Sequence, residues 1–410
     1  MRTIIAGGMV YRDGRLCREN LLIEDDKIAA FGGLERFDGD STDSILDFDN
    51  CIISPGFVDV HVHLRQPGFS YKETVATGTS AAARGGYTCV AAMPNLNPVP
   101  DSHENLQQSL ALYDRDAVVR VRAVGAITRG EAGLALSDMD ALAPQVAGFS
   151  DDGKGVQSES IMREAMRRAR TLDRPIMAHC EDEALRDGKR VTAACEWRQV
   201  ERDLRLVKET GCRYHVQHVS CLESVELIRK AKAEGLPITC ETAPHYLLLN
   251  DETITDDGRF AMNPPIRSKA DQVALIDALR DGTIDCIATD HAPHTAGEKS
   301  GGLHGSVNGI VGLETAFPAL YTKLVLSNQI PIERLLNALT AAPRALLNEP
   351  PGMRIGSPAD ITVLDISTPY AIDSTTFASM GRSTPFDGWS VRGRSVLTMV
   401  GARIVWDGRS

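Results

Sequence analysis

Between residues 57 and 290 short apolar runs recur with a steady rhythm, and most are followed by a helix-like segment. Strand-like runs lie near residues 57, 87, 119, 147, 175, 214, 238 and 285. The segments between them include KETVATGTSAAARGG, VQSESIMREAMRRARTL, LESVELIRKAKAEG and SKADQVALIDALRDG. The last three place apolar residues at roughly i, i+3, i+4 and i+7, the period of a helix with one buried face. Eight such units of about 30 residues suggest a closed (β/α)8 barrel, with parallel strands inside and helices outside. An open doubly wound sheet is the competing arrangement, and the absence of a GxGxxG turn after the first strand weighs against it.

The two ends of the chain read differently. TIIAGGMVY, ENLLIEDDKIAAFG and SILDFDNCIISPG carry β-branched runs broken by Gly, Asp and Asn, and ADITVLDI, SVLTMVG and ARIVWDG alternate apolar and polar residues. Pairing of these two sets predicts a small β-sandwich domain formed from both termini, residues 1–52 plus 352–410, beside a barrel catalytic domain at 53–351. A chain of 410 residues suits one barrel of about 250 residues and a smaller unit. The glycine-rich stretch HTAGEKSGGLHGS, 294–306, is expected to be a mobile loop.

A formal net charge of −11 argues against nucleic acid or an anionic membrane as partner, because both need basic patches. It also means that an anionic substrate would need a local basic group. The nine cysteines form no CxxC pair and several sit in apolar runs, as reduced, buried thiols of a cytoplasmic protein do. MRTIIAGGMVYRDGR has no apolar stretch of signal-peptide length, and no run approaches the 18 or so apolar residues of a membrane span.

The placement of the ten histidines is more informative than their number. His61 and His63, in DVHVHLR, end the first barrel strand, where residues i and i+2 share a face. In a barrel that face is the interior, and the C-terminal strand ends form the mouth where catalysis occurs. Alone, such a pair is equally well explained by hydrogen bonds to backbone or to Asp59. The other strand ends alter that balance: Asp151 and Asp152 end the fourth, His179 the fifth, His218 the sixth and Asp290 the eighth. Unsatisfied polar groups buried there would cost about 1–3 kcal/mol each, and a divalent metal or metal pair would satisfy them all. Imidazole and carboxylate without thiolate favour zinc, with Mn, Co, Fe or Ni as alternatives. Elsewhere the bland reading prevails: His103 and His304 are expected in solvent, and His215 outside the barrel. His245 is ambiguous, and His291 supports a ligand rather than being one.

These residues resemble the amidohydrolase superfamily. PGFVDVHVHLRQPG, AAMPNLNP, FSDDGKGVQ, MAHCED, YHVQHVS, AMNPPIR, IATDHAPH and GIVGLETAFPALYT, in that order, resemble bacterial class I dihydroorotases along the whole chain. The resemblance implies two divalent ions, zinc in the first instance. His61, His63 and Asp290 would hold the more buried ion and His179 and His218 the other, with Asp152 bridging. A carboxylated Lys154 is the alternative bridge. It further implies that Asp290 transfers the proton, that Arg65 grips a substrate carboxylate from the strand face of His63, and that Asn95, Asn263 and His294 assist. The implied reaction is reversible cyclisation of N-carbamoyl-L-aspartate to L-dihydroorotate in pyrimidine synthesis, through attack of metal-generated hydroxide on the cyclic amide. A homodimer, and association with aspartate transcarbamoylase, belong to the same set of expectations.

The sequence departs from the pattern in four places. Gln66 stands for the usual Glu and is expected to point away from the metals. The 183–205 segment is shorter and lacks its Gly/Pro-rich part, which puts oligomer geometry in question. Val307, Asn308 and Gly309 replace a PFG-like sequence near the substrate ring, and Tyr246 stands where a second His is common. Two other functions compete. A hydantoinase, dihydropyrimidinase or allantoinase would leave Arg65 without a carboxylate. A non-catalytic subunit of aspartate transcarbamoylase would be expected to have lost metal ligands, and all six positions are retained.

Overall fold

The computed structural model describes residues 2–37 and 44–409; residues 1, 38–43 and 410, all within the expected β-domain, lie outside the described residues. Eight parallel strands follow in sequence order around a barrel. They span Phe57–Val62, Tyr87–Ala92, Arg120–Ala126, Val146–Ser150, Ile176–Ala178, Tyr214–Val216, Ile238–Thr242 and Cys286–Ile287. The seam between the last and the first is closed by pairing of Val62 with His291 and by the His63 N–H donating to the His291 carbonyl at 2.8 Å. Asp59 reinforces it, accepting from the Thr289 N–H at 3.1 Å and the Thr289 hydroxyl at 2.6 Å.

The outer helices start and stop where local chemistry dictates. Thr74 and Thr77 form a reciprocal capping box ahead of the helix Val75–Arg84, and Ser268 with Asp271 does the same for Lys269–Asp281. Gly211 and Gly282, both in the left-handed region, end Ala193–Thr210 and Lys269–Asp281. The helix Glu159–Thr171 shows the expected period, burying Met162, Ala165, Met166 and Ala169.

Strands from both chain ends pair with each other. A six-stranded sheet runs Arg403–Asp407, Arg394–Val400, Ile361–Asp365, Cys51–Pro55, Met9–Arg12 and Arg15–Arg18 in spatial order. A four-stranded sheet runs Lys27–Gly32, Asn20–Glu24, Arg2–Ala6 and Ser44–Asp47. Ile5, Leu21 and Ile23 from one sheet and Val10, Ile53, Ile361 and Leu397 from the other share one core. The strand Cys51–Pro55 carries this sheet up to the first residue pair of the barrel, and the C-terminal excursion through Ile372, Phe377 and Phe386 packs into the barrel's own core.

The fifth, sixth and eighth strands are only two or three residues long. His179, His218 and Asp290 therefore lie just past the strands, and His218 and Asp290 are turned by positive φ angles of 32° and 49°. Strand alternation alone does not aim them. Among the described residues no helix is long and apolar enough to cross a membrane.

Candidate metal centre and substrate mouth

Asp152 is the hub. Its carboxylate lies 3.3 Å from His61 Nε2, 3.4 Å from His63 Nε2, 3.6 Å from His179 Nδ1 and 3.4 Å from His218 Nε2. Asp290 meets the same group, 3.1 Å from His63 Nε2 and 3.6 Å from His61 Nε2. The six positions singled out in the sequence thus converge on one buried spot. Two overlapping sets have the spacing of a metal site: His61, Asp152 and His218, and His61, His63 and Asp290. His61 Nε2 and Asp152 Oδ1 are buried without a hydrogen-bond partner. Buried polar atoms of this kind are satisfied in native proteins, so orphaned imidazole and carboxylate atoms facing each other fit a divalent cation. Lys154, by contrast, is exposed and donates to the Glu131 carbonyl oxygen at 3.2 Å.

The far side of three of these imidazoles is held, two of them by acids that the sequence does not single out, Glu241 and Glu181. His61 Nδ1 donates to Glu241 Oε1 at 2.7 Å, and Glu241 Oε2 accepts from His215 Nε2 at 3.0 Å. His215 is therefore inside the barrel, correcting the expectation that it faces outward; it shares the interior face with Gln217. His179 Nε2 contacts Glu181 Oε2 at 3.1 Å and His63 Nδ1 contacts Asn95 Oδ1 at 2.8 Å. Such partners fix the tautomer, leaving the opposite nitrogen free to ligate. A signal existed for Glu241: an acid inside the apolar strand ITCET at a position that alternation places inward.

Charge is concentrated accordingly. Burial alone would raise Glu241, but His61 and His215 outweigh it and bring it down to about 2. Burial likewise opposes ionisation of Glu181, which His179, Asn263 and Arg186 hold at about 2. His179 goes the other way: burial disfavours its cation, yet Asp152 and Glu181 lift it to about 9. Asp59 is pushed up to about 7 by burial, partly offset by its bonds to Thr289 and the His61 N–H.

A second cluster lies at the mouth. Arg65 follows the first strand in left-handed backbone, φ 61°, so it reaches the interior by a local turn, whereas strand alternation had been expected to place it there. It is buried, donates from Nε to the Pro293 carbonyl at 3.2 Å and lies 3.1 Å from His294 Nε2. His294 Nε2 also donates to the Asn308 carbonyl at 2.8 Å, while Lys72 Nζ, unnoticed in the sequence, donates to its Nδ1 at 3.1 Å. Burial, Arg65 and Lys72 pull His294 down to about 3, so it is neutral. Gly309, at φ 131°, allows this closeness: a Cβ there would sit 2.9 Å from His294 Nε2 and 2.7 Å from the Ala292 carbonyl. Asn263 donates to Glu181 Oε2 at 2.8 Å and leaves its buried Oδ1 without a partner.

The remaining candidates fall into place around these. Gln66 accepts from the Val75 N–H at 3.0 Å, at the start of the first outer helix. Tyr246 donates to the Pro264 carbonyl at 2.6 Å, bracing the Asn263 segment. His245 is buried and held neutral, down at about 4, by burial. His291 Nδ1 accepts from the Gly312 N–H and its Nε2 faces Glu73, away from the centre. His103 and His304 are exposed. The glycine-rich loop carries one helical turn, Gly302–Gly305, and is tied down by Lys299, whose buried Nζ donates to the carbonyls of Ala261 and Val307.

Comparison with known proteins narrows the chemistry. A family model described as dihydro-orotase-like matches residues 50–224. A dihydroorotase of Geobacillus thermodenitrificans is 47% identical over 98% of this chain and 98% of its own, and one of Geobacillus sp. WCH70 is 46% identical over 99% of both. Among solved structures, an L-hydantoinase from Arthrobacter aurescens superposes with a TM-score of 0.91 at 25% identity, covering 100% of this chain and 96% of the hydantoinase.

Proposed function

Since the chain belongs to the dihydroorotase family of metal-dependent cyclic amidohydrolases, we propose that it interconverts N-carbamoyl-L-aspartate and L-dihydroorotate, with the residues above in the following roles. Two divalent ions, zinc in the first instance, would be held by His61, His63 and Asp290 and by His179 and His218, with Asp152 between them. When bound, such ions polarise the amide carbonyl and lower the pKa of water to near neutrality. Everything else is the work of this chain's side chains.

Arg65 would hold the substrate's α-carboxylate by charge, and neutral His294, whose ring lies against the guanidinium, would keep it aimed. The unpartnered Asn263 Oδ1 is an acceptor for a ring N–H. Asn95 keeps the His63 ring oriented. In ring opening, Asp290 would take the proton of the attacking water, and the same proton would pass to the ring nitrogen as the C–N bond breaks. Ring closure runs these transfers in reverse. The other half of the division of labour is architectural: a composite β-domain, 1–52 plus 352–410, beside a catalytic barrel.

The observation that carries the substrate assignment is the buried Arg65 guanidinium, whose hydrogen-bonding neighbours are neutral groups, the Pro293 carbonyl and the His294 ring. A buried guanidinium needs an anionic partner, and dihydroorotate brings one. The fold shared with hydantoinases supports a second reading, but hydantoin and dihydrouracil lack that carboxylate. The test is hydrolysis of dihydroorotate, hydantoin and dihydrouracil by one metal-counted sample. Faster opening of either uncharged ring would overturn the assignment. Fewer than one ion per chain with no activity after zinc addition would favour a scaffold subunit. A cytoplasmic homodimer is part of the proposal; sedimentation alone and with aspartate transcarbamoylase reads both self-association and that partnership.

A further inference from the structure

The segment after the fifth strand departs from the family pattern, and it contributes a side chain to the site. Glu181 is buried and uses its two carboxylate oxygens differently. Oε2 meets His179 Nε2 and the Asn263 amide, whereas Oε1 receives Arg186 Nε at 2.5 Å. The Glu181 main chain is fixed independently: its N–H donates to Gln199 Oε1 at 3.0 Å, and its carbonyl accepts from Gln157 Nε2 at 2.8 Å. Arg186 adds a contact on the carboxylate oxygen that His179 and Asn263 do not use, so the group is gripped from both sides. Arg186 itself stands on an ordered turn. Asp187 and Arg190 exchange backbone hydrogen bonds at 3.0 and 2.9 Å, the Thr192 hydroxyl donates to the Leu185 carbonyl at 3.1 Å, and Arg267 donates to the Val191 carbonyl at 2.7 Å.

Resting on the dihydroorotase reading, we infer that Arg186, supplied by the shortened 183–192 segment, is a positioning residue for substrate recognition: it clamps Glu181 so that Asn263 presents its free Oδ1 to the substrate ring. The chain of contacts is Arg186 to Glu181 to Asn263. Arg186 touches no reacting atom. Without it the Glu181 carboxylate is held on Oε2 alone and the Asn263 amide loses its fixed partner, so ring binding weakens while the proton transfer at Asp290 is untouched; metal content reads any effect that passes through His179 instead.

The test is steady-state kinetics of dihydroorotate hydrolysis on Arg186→Gln, Arg186→Lys, Asn263→Ala and the Arg186→Gln/Asn263→Ala double variant, with metal content and Tm recorded for each. Loss of an indirect, charge-assisted contact is expected to raise KM about five- to tenfold in Arg186→Gln with kcat little changed. Arg186→Lys should recover part of that loss. In the Asn263→Ala background the Arg186→Gln penalty should vanish, because the path runs through Asn263. An unchanged KM in Arg186→Gln, whatever its Tm, would overturn the inference, as would a penalty of equal size in both backgrounds. If the unsubstituted chain does not open dihydroorotate, it is the substrate reading that fails.

Discussion

Replacing Glu241 by glutamine preserves volume and removes charge, so it isolates what this carboxylate does for the histidines around it. Glu241 is fully buried and accepts from His61 Nδ1 at 2.7 Å, His215 Nε2 at 3.0 Å and the His218 N–H at 3.3 Å. An amide has one oxygen, so at least one imidazole N–H would face an NH2 group. Losing one charge-assisted bond of this kind costs about 1.5–3 kcal/mol. Because His61 Nε2 is the metal-facing atom, the loss would appear in metal binding. At about 1.4 kcal/mol per tenfold, the expected weakening is about 10–100-fold, the range typical when a ligand's outer partner is removed. The assay is competitive titration of chelator-stripped protein with zinc against a fluorescent indicator, alongside thermal unfolding. A variant that binds zinc as tightly as the unsubstituted chain while its Tm drops would show that Glu241 serves packing only.

Asp290→Asn should retain fold and metal content while kcat falls about 10²–10⁴-fold, the usual contribution of a positioned acid–base group; near-normal turnover with both ions bound would reduce Asp290 to a plain ligand. Arg65→Lys should raise KM for dihydroorotate about tenfold or more, because an ammonium cannot reproduce the two-pronged grip, and leave the slow opening of dihydrouracil unchanged; parallel losses on both substrates would refute a carboxylate-specific role. His294 stays neutral in the folded chain down to about pH 3, whereas an unfolded histidine is protonated below about pH 6.5. The folded state then binds fewer protons across that window, so stability falls as pH drops from about 6.5 toward about 3. His294→Gln should lose less stability than the unsubstituted chain between pH 7 and 5 in denaturant titrations, and an equal loss would contradict the assignment.

The barrel was legible because its helices repeat an amphipathic period and its strands are apolar throughout, as in YTCVAA, where every residue is buried. The ligand positions were legible because an acid or a histidine at the end of an apolar run has few bland explanations. Sequence was a poorer guide to how those side chains are aimed. Arg65, His218 and Asp290 sit in left-handed backbone that no period describes, and the two-residue eighth strand gives alternation nothing to act on. Glu241, Glu181 and Lys72 were missed for a related reason: each works by touching a residue distant in sequence, His61, Asn263 or His294, and such pairings exist only once the strands are side by side. His215 shares a face with Gln217, which suggests an outward-facing polar pair, but Glu241 supplies its partner inside.

The seam between the first and eighth strands has a kinetic consequence. His63 and Asp290 stand 227 residues apart, and Asp59 reaches Thr289 across a separation of 230. Contacts that distant carry the largest loop-closure cost and form late in folding. A growing chain exposes His61 and His63 early, but the pocket they belong to comes into being only when the last strand docks. The centre can therefore discriminate among cations only once the chain through Asp290 has been made and the eighth strand has docked, and metal selection in this protein is a property of the closed barrel and not of its early strands.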